Sequence, residues 1–164
     1  MAEVRITAVE IEHDENTQVI IGAASFIKST EDIYEALATS VPGIKFGLGF
    51  VEASGPRLVR GEGTDAKLEG LAKRNAMKIG AGHTFIVMVS NAFPINVVNA
   101  LKSVQEVSYV ICATANPLQV VIAESKRGRG IIGVIDGGAA KGIEKPSDKR
   151  ARRKLLRDIG YKLK

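Results

Sequence analysis

Tryptophan is absent from this chain of 164 residues, aromatics amount to only 5%, and a single cysteine and two histidines are present. One cysteine, Cys112, cannot form an internal disulfide, and it lies in the apolar run Val110-Ile111-Cys112-Ala113, where an inert buried thiol is expected. A disulfide-stapled scaffold is excluded, and a reducing, cytoplasmic compartment is expected. No apolar run reaches the roughly 20 residues that span a bilayer, so no membrane partner is expected. The start, Met1-Ala2-Glu3-Val4-Arg5, has no secretory pattern. There is no Walker A loop, HExxH, CxxC, EF-hand loop or serine-hydrolase elbow. Those absences exclude a P-loop kinase and leave no sequence demand for a structural metal.

What is present is ample aliphatic material: 45% of residues are apolar. With so few aromatics, the core must be built from Val, Ile, Leu and Ala, and the length suits one compact domain. The net charge of +5 is unevenly placed. Residues 145–164 hold nine Lys or Arg against two Asp, a net of +7, so the rest of the chain carries −2. Such a tail reads first as a solvated helix face, and second as a contact for nucleic acid, an anionic substrate or a neighbouring subunit. Paired aromatic stacking motifs are missing, so nucleic acid is not expected as a partner.

Periodicity predicts strands at 4–12, 18–26, 44–53, 57–61, 83–90, 107–114, 118–124 and 131–136. Helices are expected from Ser29 to Val41, from Thr64 or Asp65 to Ile79, from Phe93 onward, and in a basic C-terminal segment, 147–160, capped by Ser147. The expected fold is a single α+β domain over 1–164, a mixed sheet of about seven or eight strands with about four helices. Arg127-Gly128-Arg129-Gly130 reads as a loop.

Gly80-Ala81-Gly82-His83 joins a charged helix to the apolar run Thr84-Phe85-Ile86-Val87-Met88-Val89. Two glycines there allow a phosphate or a backbone to approach closely. A neutral imidazole can attack phosphorus, so His83 is a candidate for taking or holding a phosphoryl group; a plain hydrogen-bonded histidine is the alternative. Gly128-Arg129-Gly130-Ile131-Ile132-Gly133 matches GxGxxG, but β-rich sequence continues where a dinucleotide fold needs a helix. It resembles more a glycine-rich hairpin over phosphates, with Arg127 and Arg129 as donor forks, or an ordinary exposed turn. Lys45 enters the Phe46-Gly47-Leu48-Gly49 strand beside glycines and is either a phosphate counter-charge or a solvated edge lysine. Asp136 and Glu124 lie at strand ends where Mg²⁺ could be held with phosphates. Asn116 before Pro117 is a turn former whose amide could read an adenine edge.

Five stretches taken together, GIKFGLGFVEASG (43–55), NAMKIGAGHTFIV (75–87), FPINVVNALKSVQEV (93–107), CATANPLQVVIAES (112–125) and GRGIIGVIDG (128–137), resemble the adenosine-specific kinase family. The resemblance spans roughly residues 18–160. It implies a homo-oligomer, such as a trimer or hexamer, that takes adenosine and ATP, ADP or AMP, with Mg²⁺ accompanying the phosphates. It also implies a stable phosphohistidine, carried here at His83. Lys45, Gly80 and Gly82 would form the phosphate environment, and the Arg127–Gly130 loop and the turn at Asn116 would border the nucleotide. Members often have a histidine directly before the Phe26-Ile27-Lys28 segment, where this chain has Ser25. The activity implied is phosphoryl transfer to or from adenosine; the alternative is a non-catalytic nucleotide sensor or phosphohistidine carrier.

Overall fold

The computed structural model describes residues 3–163, which form eight strands and four helices. The strands are β1 (Arg5–Glu10), β2 (Gln18–Ala24), β3 (Phe46–Val51), β4 (Val59–Gly63), β5 (Thr84–Val89), β6 (Val107–Thr114), β7 (Leu118–Ser125) and β8 (Gly128–Asp136). The helices are α1 (Ser29–Ser40), α2 (Ala66–Ile79), α3 (Pro94–Ser103) and α4 (Pro146–Asp158). The α+β class is as expected, but the strands divide into two sheets. One has five strands in the order β4-β3-β5-β2-β6, the other three in the order β1-β7-β8. Every strand pairing is antiparallel.

The inner strands of the five-stranded sheet, β3, β5 and β2, are buried on both faces, which explains their apolar sequences. Side chains alternate along β2 and β5. Ile20, Phe85, Val87 and Val89 enter a core with Ile33 and Leu37 of α1 and Val97 and Leu101 of α3. Val19, Ile21, Ile86 and Met88 enter the opposite core, where Ala72, Ala76 and Ile79 of α2 meet Leu118, Val120 and Ile122 of β7. The smaller sheet and α2 therefore share one face of the larger sheet, and α1 and α3 cover the other.

Asp65 caps α2 as expected, its carboxylate accepting from the N–H groups of Lys67 and Leu68. Ser29 stands one residue inside α1 rather than before it, and its hydroxyl donates to the Phe26 carbonyl. In α4 the cap is likewise shifted: Asp148 accepts from the Lys145 N–H, and Pro146 opens the helix. The expected loop at 127–130 is mostly strand, because Gly128, Arg129 and Gly130 pair with Ser125, Glu124 and Ala123. No residue of α4 is buried. Among the described residues no helix is long and apolar enough to cross a membrane.

Candidate functional site at one rim of the sheet

At one rim of the large sheet, β3 leaves at Val51 and β5 enters at Thr84. His83 lies on that rim, pinned by its backbone. Its N–H donates to the Val51 carbonyl (2.8 Å), and its own carbonyl accepts from Ala24 N–H (2.9 Å). The backbone is left-handed there, φ 67°, a conformation few non-glycine residues adopt. The ring is exposed, makes no hydrogen bond among the described residues, and its centroid lies 6.5 Å from that of Phe50.

The glycines before it have structural reasons. Gly80 ends α2 in the left-handed conformation, φ 60°, its N–H donating to Ala76 O. A Cβ on Gly82 would sit 2.8 Å from the Ala53 Cβ, so glycine lets this loop lie against the chain leaving β3.

That chain, residues 52–58, is organised by Glu52. Its carboxylate accepts from Leu58 N–H (2.9 Å) and from Arg60 Nε (2.7 Å). These donors, the Leu58 amide first and the Arg60 guanidinium second, hold the Glu52 carboxyl below the usual carboxylate range. Arg60 also donates from Nη1 to Ile27 O (2.7 Å) and lies over the Phe50 ring, 6.0 Å from its centroid.

The β7–β8 turn forms the facing wall. Arg129 donates from Nε to Glu124 Oε1 (3.0 Å) and from Nη1 to Lys78 O (3.1 Å). It thus binds one of the open carbonyls at the C-terminal end of α2, where a cation is favoured. Arg127 has no side-chain partner among the described residues.

A cleft of about 720 Å³ opens between these walls, lined by Arg57, Arg127, Gly128 and Arg129 together with Gly80 and Gly82. A smaller hollow of about 240 Å³ is lined by His83, Ser25, Phe50 and Arg60. Glu52 and Ala53 border both. Gly130 lies outside the cleft, in a shallow depression on the outer side of the β7–β8 turn.

Three sequence candidates do not meet this group. Lys45 is at the far rim, its carbonyl accepting from Ser90 N–H and its N–H donating to Asn91 Oδ1. It is six residues from the Val51 rung, about 20 Å at roughly 3.3 Å per residue. The glycines beside it serve α2. A Cβ on Gly47 would lie 2.0 Å from Glu69 N, and one on Gly49 2.6 Å from Ala72 O. Asn116 and Asp136 are also distant, beyond Thr114, which pairs with Val19. Asp136 Oδ1 accepts from Thr114 Oγ1 (2.8 Å) and Asn116 Nδ2 (2.9 Å), which explains both as turn structure.

Glu124 and Asp136 oppose Arg129 and Leu118 in the β7–β8 ladder, and so stand at opposite ends of it. They cannot share one metal ion within this chain. Among the described residues no three His, Cys, Asp or Glu side chains converge, and the two carboxylates of the cleft are already engaged by arginines. The residues present therefore do not fit a dedicated Mg²⁺ site. Cys112 is half-buried, and burial pushes its thiol up to about 11, far from a reactive thiolate.

Sequence reasoning missed Arg57 and Arg60. The Gly55-Pro56 turn was the available signal, because it returns the chain to the rim beside His83.

Fold and rim together define a small α+β protein with a cationic cleft between two β-turns and an unpartnered histidine beside it. The family model described as adenosine specific kinase matches residues 9–162, and the chain belongs to that family. It is also similar to the crystal structure of the PH1918 protein from Pyrococcus horikoshii OT3. The identity is 48% over 99% of this chain and 100% of that one, with a TM-score of 0.95. No curated protein matches.

Proposed function

We propose that this protein is an adenosine-directed phosphotransferase whose rim cleft receives the phosphates of an adenine nucleotide, with His83 as the phosphoryl acceptor. Family membership supports the adenosine-related kinase activity. The observation that carries the site is the meeting of Arg57, Arg127 and Arg129 around one cleft, with His83 across a shared wall. Arginine suits this work because its planar donor fork matches phosphate oxygens. Phosphoryl transfer needs mainly orientation and charge neutralisation, which a preset cationic cleft supplies.

In the first step an imidazole nitrogen of His83 attacks the terminal phosphorus of ATP. The N–P bond forms as the P–O bond to the departing ADP breaks. In the second, an adenosine hydroxyl attacks the same phosphorus. The N–P bond breaks, the hydroxyl proton passes to water, and AMP leaves. Backbone bonds on both sides of His83 hold the ring at a fixed height on the rim, so little reorganisation precedes attack. We also infer that the protein works as a homo-oligomer, because the small sheet leaves Ile6, Ile132 and Ile135 exposed and α4 has no buried residue.

The test is incubation with γ-labelled ATP, with and without adenosine. Protein-bound label that is acid-labile and base-stable, absent in His83→Ala, and discharged by adenosine is the expected result. Label that persists in the presence of adenosine identifies a carrier or sensor instead. Unchanged adenosine phosphorylation by His83→Ala removes the histidine from the mechanism.

A further inference from the structure

Among the described residues, only Arg57 (φ 56°) and His83 (φ 67°) hold a left-handed backbone without being glycine. They belong to different connections, yet Arg57 borders the cleft and His83 the adjoining hollow, with Glu52 and Ala53 between. A side chain in that conformation is strained by its own Cβ, and such strain concentrates at ligand clamps. The β3–β4 connection uses glycine for the same conformation two residues earlier, at Gly55 (φ 64°). An arginine at 57 therefore needs a reason beyond the turn.

Electrostatics supplies it. Arg60 and Arg129, the other arginines of the rim, are each held by a carboxylate and a carbonyl. The guanidinium of Arg57 has no hydrogen bond or ion pair among the described residues, and neither has that of Arg127. Both line the same cleft, one from the β3–β4 connection and one from the β7–β8 turn. Glu52 and Glu124, the acidic residues of the cleft, are already bound to Arg60 and Arg129. The cleft thus presents two uncompensated forks on opposite walls.

We propose that Arg57 and Arg127 are the two jaws of a phosphate clamp, and that the β3–β4 turn is strained in order to present Arg57. The group gripped is a phosphate or polyphosphate, as a nucleotide ester or as the free anion; the proposal rests on the nucleotide reading of the cleft. A purely structural arginine would behave in the opposite way, because glycine at a left-handed position relieves strain.

The full chain and its Arg57→Gly, Arg57→Lys and Arg127→Ala variants are titrated calorimetrically with ATP, inorganic triphosphate and adenosine, and melted in parallel. Arg57→Gly is expected to melt at the wild-type temperature or above while losing about tenfold or more in affinity for ATP and triphosphate. Adenosine binding is expected to be unchanged, Arg127→Ala to lose phosphate affinity similarly, and Arg57→Lys to keep part of it. If the wild type binds ATP and Arg57→Gly or Arg127→Ala binds it equally well, the clamp is wrong and the nucleotide reading stands. If Arg57→Gly melts clearly lower, the residue is structural and the clamp is overturned. If the wild type binds neither ATP nor triphosphate, both readings fail together.

Discussion

Glu52 links the two cavities. Its carboxylate closes the 52–58 turn through Leu58 and fixes Arg60, which in turn holds the carbonyl of Ile27 beside the His83 hollow. Its pKa is lowered in the folded protein, chiefly by the Leu58 amide. A depressed folded pKa adds stability above the unfolded value, near 4.3 for glutamate, and that contribution disappears as pH falls through the folded pKa. Glu52→Gln is therefore expected to melt lower than wild type at pH 7, with the gap closing toward pH 3. Melting temperatures of both proteins across that range check it; a gap constant with pH would mean that the charge is irrelevant. His83 calls for a similar separation of roles. Replacing it with glycine removes the imidazole and also the left-handed strain, so His83→Gly is expected to lose the label while unfolding no more easily in urea.

At the scale of elements, two attachments place the rim. One is the seating of α2 on β3. Cβ atoms at Gly47 and Gly49 would strike the backbone of α2, which cannot rotate aside as a side chain can. Gly47→Ala is expected to cost about 3 kcal/mol or more, since overpacking against backbone forces the helix off the sheet; chemical denaturation measures it. The other is Lys28, which precedes α1 and reaches Glu106 before β6 at 2.6 Å, besides pairing with Asp32. These carboxylates raise the Lys28 pKa to about 12, the Asp32 hydrogen bond contributing most. The Glu106 side chain is only 6% exposed, and among the described residues Lys28 is the cation that compensates it. Lys28→Ala is expected to destabilise more than Lys28→Ala combined with Glu106→Gln, because the single change leaves a buried charge alone. Denaturant melts of the single and double variants decide it.

Elements were more legible in the sequence than the site. Alternation along β1, the apolar runs of β5 and β7 and the Asp65 cap reveal β1, β5, β7 and α2 within a residue or two, because those signals are local. Pairings such as Arg5 with Glu124 are set by burial of a whole face, which no local pattern encodes. The same holds for the glycines beside Lys45: sequence shows that side chains are missing, not whether a ligand or a helix fills the space. His83, Gly80, Gly82, Arg127 and Arg129 do gather at one rim, since periodicity locates the ends of α2, β5 and β7 that place them, although it misses the start of β8. Lys45, Asn116 and Asp136 also lie at strand ends, but at the other rim, and only the topology distinguishes the two.

At the scale of the whole molecule, the small sheet leaves large apolar side chains exposed. Its outer face carries Ile6, Ile132 and Ile135, exposed at 66%, 56% and 50%. Glu10, hydrogen-bonded to Gln119, is an acidic group in the same sheet. Elsewhere α4 has no fully buried residue, and Leu155 and Ile159, one turn apart, are exposed. The two surfaces suit each other: an apolar sheet face with Glu10 beside it, and a basic helix with two exposed aliphatic side chains at its end. A chain's own α4 is held elsewhere, since Tyr161 just beyond it packs edge-on against Phe93 at the start of α3, the layer opposite the small sheet. In the proposed homo-oligomer, a second copy would cover both surfaces. It would also lie beside the cationic cleft, because the depression on the outer side of the β7–β8 turn is lined by Val4 and Ala123 together with Arg127 and Arg129. Light scattering after size exclusion is expected to give a multiple of the 17.5 kDa chain mass. Ile132→Asp with Ile135→Asp, and separately Leu155→Glu with Ile159→Glu, are each expected to return it to one chain with little change in melting of the monomer, since none of these side chains is buried within it. A wild type that runs as a single chain, or an assembly that survives either pair of changes, would show that this face and this helix do not meet.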